Sequence, residues 1–351
     1  MTTRDHACQA RQAFSAAGLS GRGSASGQTP GVTGPVRVPE MVRRKALAVG
    51  PAGERWLDDL PALIADLSAE WRLDVGEAIS GGSGAFVANA VMADGLEAVL
   101  KVAIPDGLVG HNPFDQELEM LVLGEGRGYV RVLRADEPRR VMLQERLGRP
   151  LSALGWPVET QIDAIAATLI QAWRPPPDHV HLQTGAEKAV WLCDFIRTRW
   201  EELDGPCPEA TIEQAEGYTR SRQEAFDLST ALLIHGDAHP FNILEARRAT
   251  ESSSGFKLID PEGMISEPAH DLAIPLRDWT NELLAADPVD LGLAWCSQLG
   301  QRTNVDPGPI WEWAFIERVS TGLFMLQLGD PYGKRLLTVA AAWTGAHPDH
   351  R

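Results

Sequence analysis

The chain has 351 residues, 44% of them apolar and 23% charged, and its 32 Lys and Arg stand against 48 Asp and Glu for a net charge of −16. This composition excludes global disorder, collagen and coiled coil, and no run approaches the ~18 uncharged apolar residues of a membrane span. The acidic balance disfavours nucleic acid as a partner, and four scattered cysteines with no CxxC pair fit neither a disulfide framework nor a zinc knuckle.

Residues 1–40 contain 17 Gly, Ser, Thr or Pro and six large apolar residues, Met1, Phe14, Leu19, Val32, Val36 and Val38. Such a segment buries too little surface to offset its ordering entropy, so a disordered N-terminal extension is expected. It holds no apolar core of a secretory signal, and the chain is expected in the cytoplasm, off the membrane, as a monomer or homodimer. Next, Trp56, Leu60, Leu63, Ile64 and Leu67 recur at three- and four-residue spacing and predict a helix. Short β-type runs punctuated by Gly and Asp-Gly then predict strands at Leu73–Ile79, Phe86–Met92, Ala98–Ala103, Val130–Arg134 and Val141–Gln144, with a helix at Phe114–Leu123 among them.

Beyond Gly148 the periodicity becomes helical, at Val158–Trp173, Ala186–Leu203, Glu209–Phe226, Val289–Leu299 and Ile310–Leu328. A polar segment with short strands, Leu232–Asp271, lies between them, and the Trp-rich stretch Trp311–Ile316 reads as core. The expected fold is α+β in two lobes. A small antiparallel-sheet lobe takes 41–147 and a mainly helical lobe takes 148–351.

The chemistry concentrates in Leu232-Leu233-Ile234-His235-Gly236-Asp237-Ala238-His239-Pro240-Phe241-Asn242-Ile243-Leu244, followed by Phe256-Lys257-Leu258-Ile259-Asp260-Pro261-Glu262-Gly263. Asp237 and Asn242 share a polar loop between apolar strands, and Asp260 ends the next strand. Three oxygen-bearing side chains so placed can converge on one hard cation and one hydroxyl. Phosphoryl transfer requires that set: a carboxylate to orient the nucleophile and accept its proton, and an Asn and an Asp to hold Mg²⁺. The same loop offers a second chemistry, because His235-x-Asp237-x-His239 alternates like the ligands of a zinc hydrolase. That reading leaves Pro240 and Asn242 without a role and finds no further His at matching spacing.

Together with Glu267-Pro268-Ala269-His270-Asp271-Leu272-Ala273, these strings resemble the aminoglycoside phosphotransferase superfamily, and within it the streptomycin 6-phosphotransferase and hydroxyurea phosphotransferase group. The resemblance implies a two-lobed protein-kinase-like fold. Carried over by position, Asp237 resembles the catalytic aspartate, Asn242 and Asp260 the metal-binding pair, and Asp271 the aspartate that props the catalytic loop through His235 or backbone amides. Phe241 stands where many relatives have Gly, and Glu262 where streptomycin kinases often carry Lys.

The small lobe fits the same resemblance. Gly82, Ser83 and Gly84 lie between two strands where a kinase covers the nucleotide phosphates, and Lys101, one of only five lysines, sits in an apolar strand 17 residues after Gly84. The helix that follows offers Asp115, Glu117 and Glu119 to pair with it. Glu117, one turn before Leu121, falls at the inner edge. Val141–Gly148 resembles the hinge, where the carbonyl of Glu145 and the amide of Leu147 would meet adenine. Glu262, Glu267, Asp278, Trp279 and Glu282 follow the catalytic segment, and carboxylates with an aromatic suit a cationic ligand. The expected function is an ATP- and Mg²⁺-dependent kinase that phosphorylates a hydroxyl of a small cationic substrate, a streptomycin-like aminoglycoside. Its alternatives are a metabolic kinase of an amino sugar or other small alcohol, and a nucleotide-binding regulator without transfer.

Overall fold

The computed structural model describes residues 36–80, 84–105, 113–247 and 252–350, and Gly82, Ser83 and residues 1–35 of the expected extension lie outside them. Two units divide the chain: the first runs to Gly126 and resumes over Val130–Arg146, and the second takes Arg127–Tyr129 and everything from Leu147.

In the first unit, Val36 and Val38, read from composition as part of the extension, pack against the core. Helix α1 (Glu40–Ala48) follows, and α2 (Pro51–Trp71) starts where Gly50 takes a φ of 82° and Pro51 supplies the first helical position. Strands β1 (Leu73–Ala78), β2 (Ala85–Met92) and β3 (Glu97–Ala103) precede α3 (Pro113–Gly124), and β4 (Val132–Asp136) and β5 (Val141–Glu145) complete an antiparallel sheet in the order β1-β2-β3-β5-β4. The fourth strand starts two residues later than its apolar run implied. β3 is paired on both sides, Leu100 lying opposite Ala88 and Leu143. Strand alternation puts Ala98, Leu100 and Val102 on one face, where Val42 and Ala46 of α1 and Leu60, Ile64 and Leu67 of α2 cover them. Lys101 is left on the other face.

α1 and α2 meet at Gly53. A Cβ there would stand 1.7 Å from the carbonyl oxygen of Ala46, a backbone atom of the neighbouring helix. Alanine would gain about 1 kcal/mol of helix propensity, but that cannot offset moving the whole of α1 off the sheet. Gly53→Ala is therefore expected to lose about 1–3 kcal/mol, as overpacked cores do. Urea unfolding followed by tryptophan fluorescence measures it, and an unchanged or raised midpoint would refute the contact.

The second unit opens with α4 (Val158–Ala172), α5 (Gly185–Glu202) and α6 (Glu209–Glu224). Two small antiparallel pairs follow: β6 (Leu232–Ile234) with β9 (Met264–Ser266), and between them in sequence β7 (Ile243–Glu245) with β8 (Phe256–Leu258). Then come α7 (Pro268–Asp278), α8 (Thr280–Ala285), α9 (Pro288–Thr303), α10 (Pro307–Gln327) and α11 (Gly333–Trp343). α10 is buried all round from Ile310 to Met325, the Trp-rich stretch included, so it is the post on which α6, α7 and α11 pack. Sequence periodicity did not announce α7, because Pro275 interrupts it and every residue from Ala269 to Arg277 is buried, which leaves no polar face to reveal the period.

Candidate active site

In the first unit the Nζ of Lys101 lies 2.5 Å from Oε1 of Glu117, both side chains being buried. The phase of α3 makes the selection: Glu117 faces inward, Asp115 is exposed and Glu119 is half-buried. Glu145 is tied within its own unit, its Oε1 accepting from the amide of Arg131 at 2.7 Å. Leu147 is buried at the start of the second unit. Gly84 leads into β2.

In the second unit β6 runs into the polar loop, and Gly236 turns it with a φ of 82°. A side chain at 236 would begin 3.3 Å from the Cβ of Glu262, which borders the loop. The turn aims two amides at Asp271: its Oδ2 accepts from His235 at 2.9 Å and its Oδ1 from Gly236 at 2.8 Å, while Trp173 donates its indole N–H to Oδ2 at 2.9 Å. His235 spans the site. Its Nδ1 accepts from the amide of Asp237 at 3.1 Å and its Nε2 donates to the carbonyl of Ile259 at 2.8 Å, joining the loop to the strand end that carries Asp260. Burial holds its imidazole below the ordinary range, despite the carboxylate of Asp271 nearby. The second zinc-type reading fails here, since both ring nitrogens of His235 are engaged by backbone.

Asn242 donates its Nδ2 to the carbonyl of Asp237 at 3.1 Å, which fixes the amide and leaves its Oδ1 as the free acceptor. Asp260 is exposed, with a φ of 55°, a left-handed conformation that Asp tolerates better than most residues. An amide oxygen and a carboxylate are hard donors of the kind Mg²⁺ takes, so the residues fit that ion.

The carboxylate of Asp237 meets Arg277, which sequence reading missed, and His239, which it read only in the zinc-type pattern. Arg277, from the last turn of α7, donates to Oδ1, and Nε2 of His239 lies 3.5 Å from Oδ2. Burial alone would raise the Asp237 carboxyl, but His239 and Arg277 outweigh it and hold it far below its usual range. His239 moves the other way: burial lowers it, and the carboxylates of Asp237 and Asp278 more than restore it. Asp278 lies within electrostatic reach of His239 and Arg277, yet burial raises its carboxyl, and its Oδ2 is enclosed with no hydrogen-bond partner among the described residues.

Three expected substrate residues belong elsewhere. Glu267 is taken by Arg222 at 3.2 Å and by the indole of Trp313 at 2.8 Å, an internal tie rather than a ligand group. Trp279 is buried against Trp295, its N–H donating to Gln161 at 3.3 Å. Glu282 is exposed on α8. Of that set Asp278 and Glu262 stay beside the loop.

Comparison with known proteins agrees with this geometry. Residues 70–329 match the family described as aminoglycoside/hydroxyurea antibiotic resistance kinase. A hydroxyurea phosphotransferase from Kitasatospora aureofaciens is 34% identical over 253 residues, 68% of this chain and 67% of that one. A streptomycin 6-kinase from Streptomyces griseus is 25% identical over 227 residues, 64% and 68% of the two chains. Among solved structures, choline kinase LicA from Streptococcus pneumoniae has a TM-score of 0.56 at 14% identity, covering 82% of this chain and 98% of that one. That likeness concerns the fold alone.

Proposed function

Because the chain belongs to the aminoglycoside/hydroxyurea antibiotic resistance kinases, we propose that it moves the γ-phosphoryl group of ATP, with Mg²⁺, to a hydroxyl of a small antibiotic-like molecule through Asp237, Asn242 and Asp260. The observation that carries this reading is the loop itself. Asp271 pins its two amides, the amide of Asn242 is fixed on the carbonyl of Asp237, and Asp237 is kept as an anion by Arg277 and His239.

Such an aspartate is a weak base. Its work is to hold the acceptor hydroxyl in line and to receive the proton late, once oxygen–phosphorus bonding is under way. Asn242 and Asp260 would hold Mg²⁺, which when bound neutralises charge on the phosphate oxygens. In the first unit Lys101, kept straight by Glu117, supplies a fixed positive charge for the nucleotide phosphates. Gly84 and the residues before it would cover them, and the backbone of Glu145 and Leu147 would meet the base. Glu262, bordering the loop, would supply negative charge for a cationic acceptor such as an aminoglycoside. Hydroxyurea, neutral and small, is the second reading, favoured by the 34% identity to a hydroxyurea phosphotransferase.

A coupled ADP-release assay with Mg-ATP tests both, over streptomycin, hydroxyurea and simple amino sugars, with mass spectrometry of the product. Turnover with streptomycin and a phosphate-sized mass gain is expected. Turnover of hydroxyurea alone moves the function to the second reading, and turnover of amino sugars alone makes this a metabolic kinase. No phosphorylated product from any of them, in a protein that binds Mg-ATP, would overturn the acceptor class.

A further inference from the structure

The two carboxylate oxygens of Asp237 are in unlike surroundings. Oδ1 accepts from Nη2 of Arg277, a buried guanidinium. Oδ2 faces Nε2 of His239 at 3.5 Å, the looser of the two contacts. Behind Arg277, its Nη1 lies 3.5 Å from Oε2 of Glu317 on α10, and Oε1 of Glu317 lies 3.0 Å from Nε2 of His270. His270 is clamped in turn, stacked on Trp313 with ring centres 3.9 Å apart and planes 7° from parallel. Every group in this chain is buried.

We propose that Arg277 is a positioning residue for phosphoryl transfer, fixing Oδ1 of Asp237 so that Oδ2 is presented to the acceptor hydroxyl, with Glu317 bracing the guanidinium from behind. The inference rests on the role given to Asp237 above. A carboxylate anchored only by its own backbone turns about its last torsion, and its lone pairs sweep a cone. A guanidinium presents its donors in a rigid planar fork. With Nη2 on Oδ1 of Asp237 and Nη1 toward Glu317, the guanidinium is set between two carboxylates, so one oxygen of Asp237 is held and the other is aimed. The rigid post α10 matters for the same reason: Glu317 sits among side chains that have no room to shift, so the brace is as stiff as the core. Neutralising a buried charge would need only a cation, whereas aiming an oxygen needs the fork.

That difference sets the test. Arg277→Lys keeps the charge and loses the fork, and Arg277→Ala loses both. The expected results are a kcat about tenfold lower for lysine and about a hundredfold lower for alanine, the cost of a reacting group misplaced by about an ångström. Acceptor KM and Mg-ATP affinity should change little. Millimolar guanidinium chloride should restore part of the kcat of Arg277→Ala. Glu317→Gln, which loosens the brace and leaves Arg277 in place, should lower kcat with nucleotide affinity intact, and it stands in if the alanine variant does not fold.

A folded Arg277→Lys with wild-type kcat would overturn the proposal in favour of simple charge neutralisation. So would an Arg277→Ala whose loss lies wholly in its unfolding midpoint, with no response to guanidinium. If the wild-type protein turns over no acceptor, it is the function that fails. The same variants compared for slow Mg-ATP hydrolysis, where water replaces the acceptor, still decide the role of Arg277.

Discussion

Asp237→Asn is expected to lower kcat by about 10²- to 10⁴-fold while Mg-ATP binding persists. Asparagine matches aspartate in shape, so the backbone bonds that hold the loop through residues 235, 236 and 242 have no reason to change. One of the two oxygens becomes an NH₂. Turned toward Arg277 it opposes donor with donor, and turned away it offers the acceptor hydroxyl a donor where an anion is required. Neither rotamer serves. The residues assigned to nucleotide and metal, Lys101, Asn242 and Asp260, are untouched. A coupled assay with a matched nucleotide titration checks the split: turnover within about tenfold of wild type would remove Asp237 from the chemistry, and lost nucleotide affinity would show that the loop had shifted.

Asp271→Asn should act on the fold as much as on the reaction. Its carboxylate, fully buried, accepts three N–H groups, from His235, Gly236 and Trp173. The amide that replaces it has one oxygen, and its NH₂ is driven against donors in a fully buried setting. An unsatisfied buried group costs about 1–3 kcal/mol, so a loss of about 3 kcal/mol or more in unfolding free energy is expected, with turnover falling as the loop loses its shape. Urea unfolding followed by tryptophan fluorescence measures it directly, Trp173 being one of the three donors. A loss below about 1 kcal/mol would mean that the three bonds do not hold the loop.

What could be read from the chain in advance was whatever sits within one element or one loop. Lys101 and Glu117 were legible because a lysine in an apolar strand and the phase of the next helix each narrow the choice to one residue. Asp237, Asn242, Asp260 and Asp271 were legible because strand ends and a short motif bring them together. Arg277 and Glu317 were not, because they lie 40 and 80 positions beyond Asp237 in the sequence. The helix that delivers the first hides its period behind Pro275. Charge without direction reads differently: Glu267 and Trp279 have the right chemistry but are engaged by internal partners, and Glu282 lies exposed on α8.

The helices laid over the first sheet have a consequence for recombination between relatives. The family match begins at residue 70, inside α2. A gene exchanged at that boundary would leave behind Val42, Ala46, Leu60, Ile64 and Leu67, and Leu100, Val102, Val141 and Leu143 would meet water on one continuous face. Such a patch invites aggregation. Exchanges that survive selection should therefore carry the leading helices along with the catalytic segment. The part that must travel together begins near Val36, well before residue 70, where the family match starts.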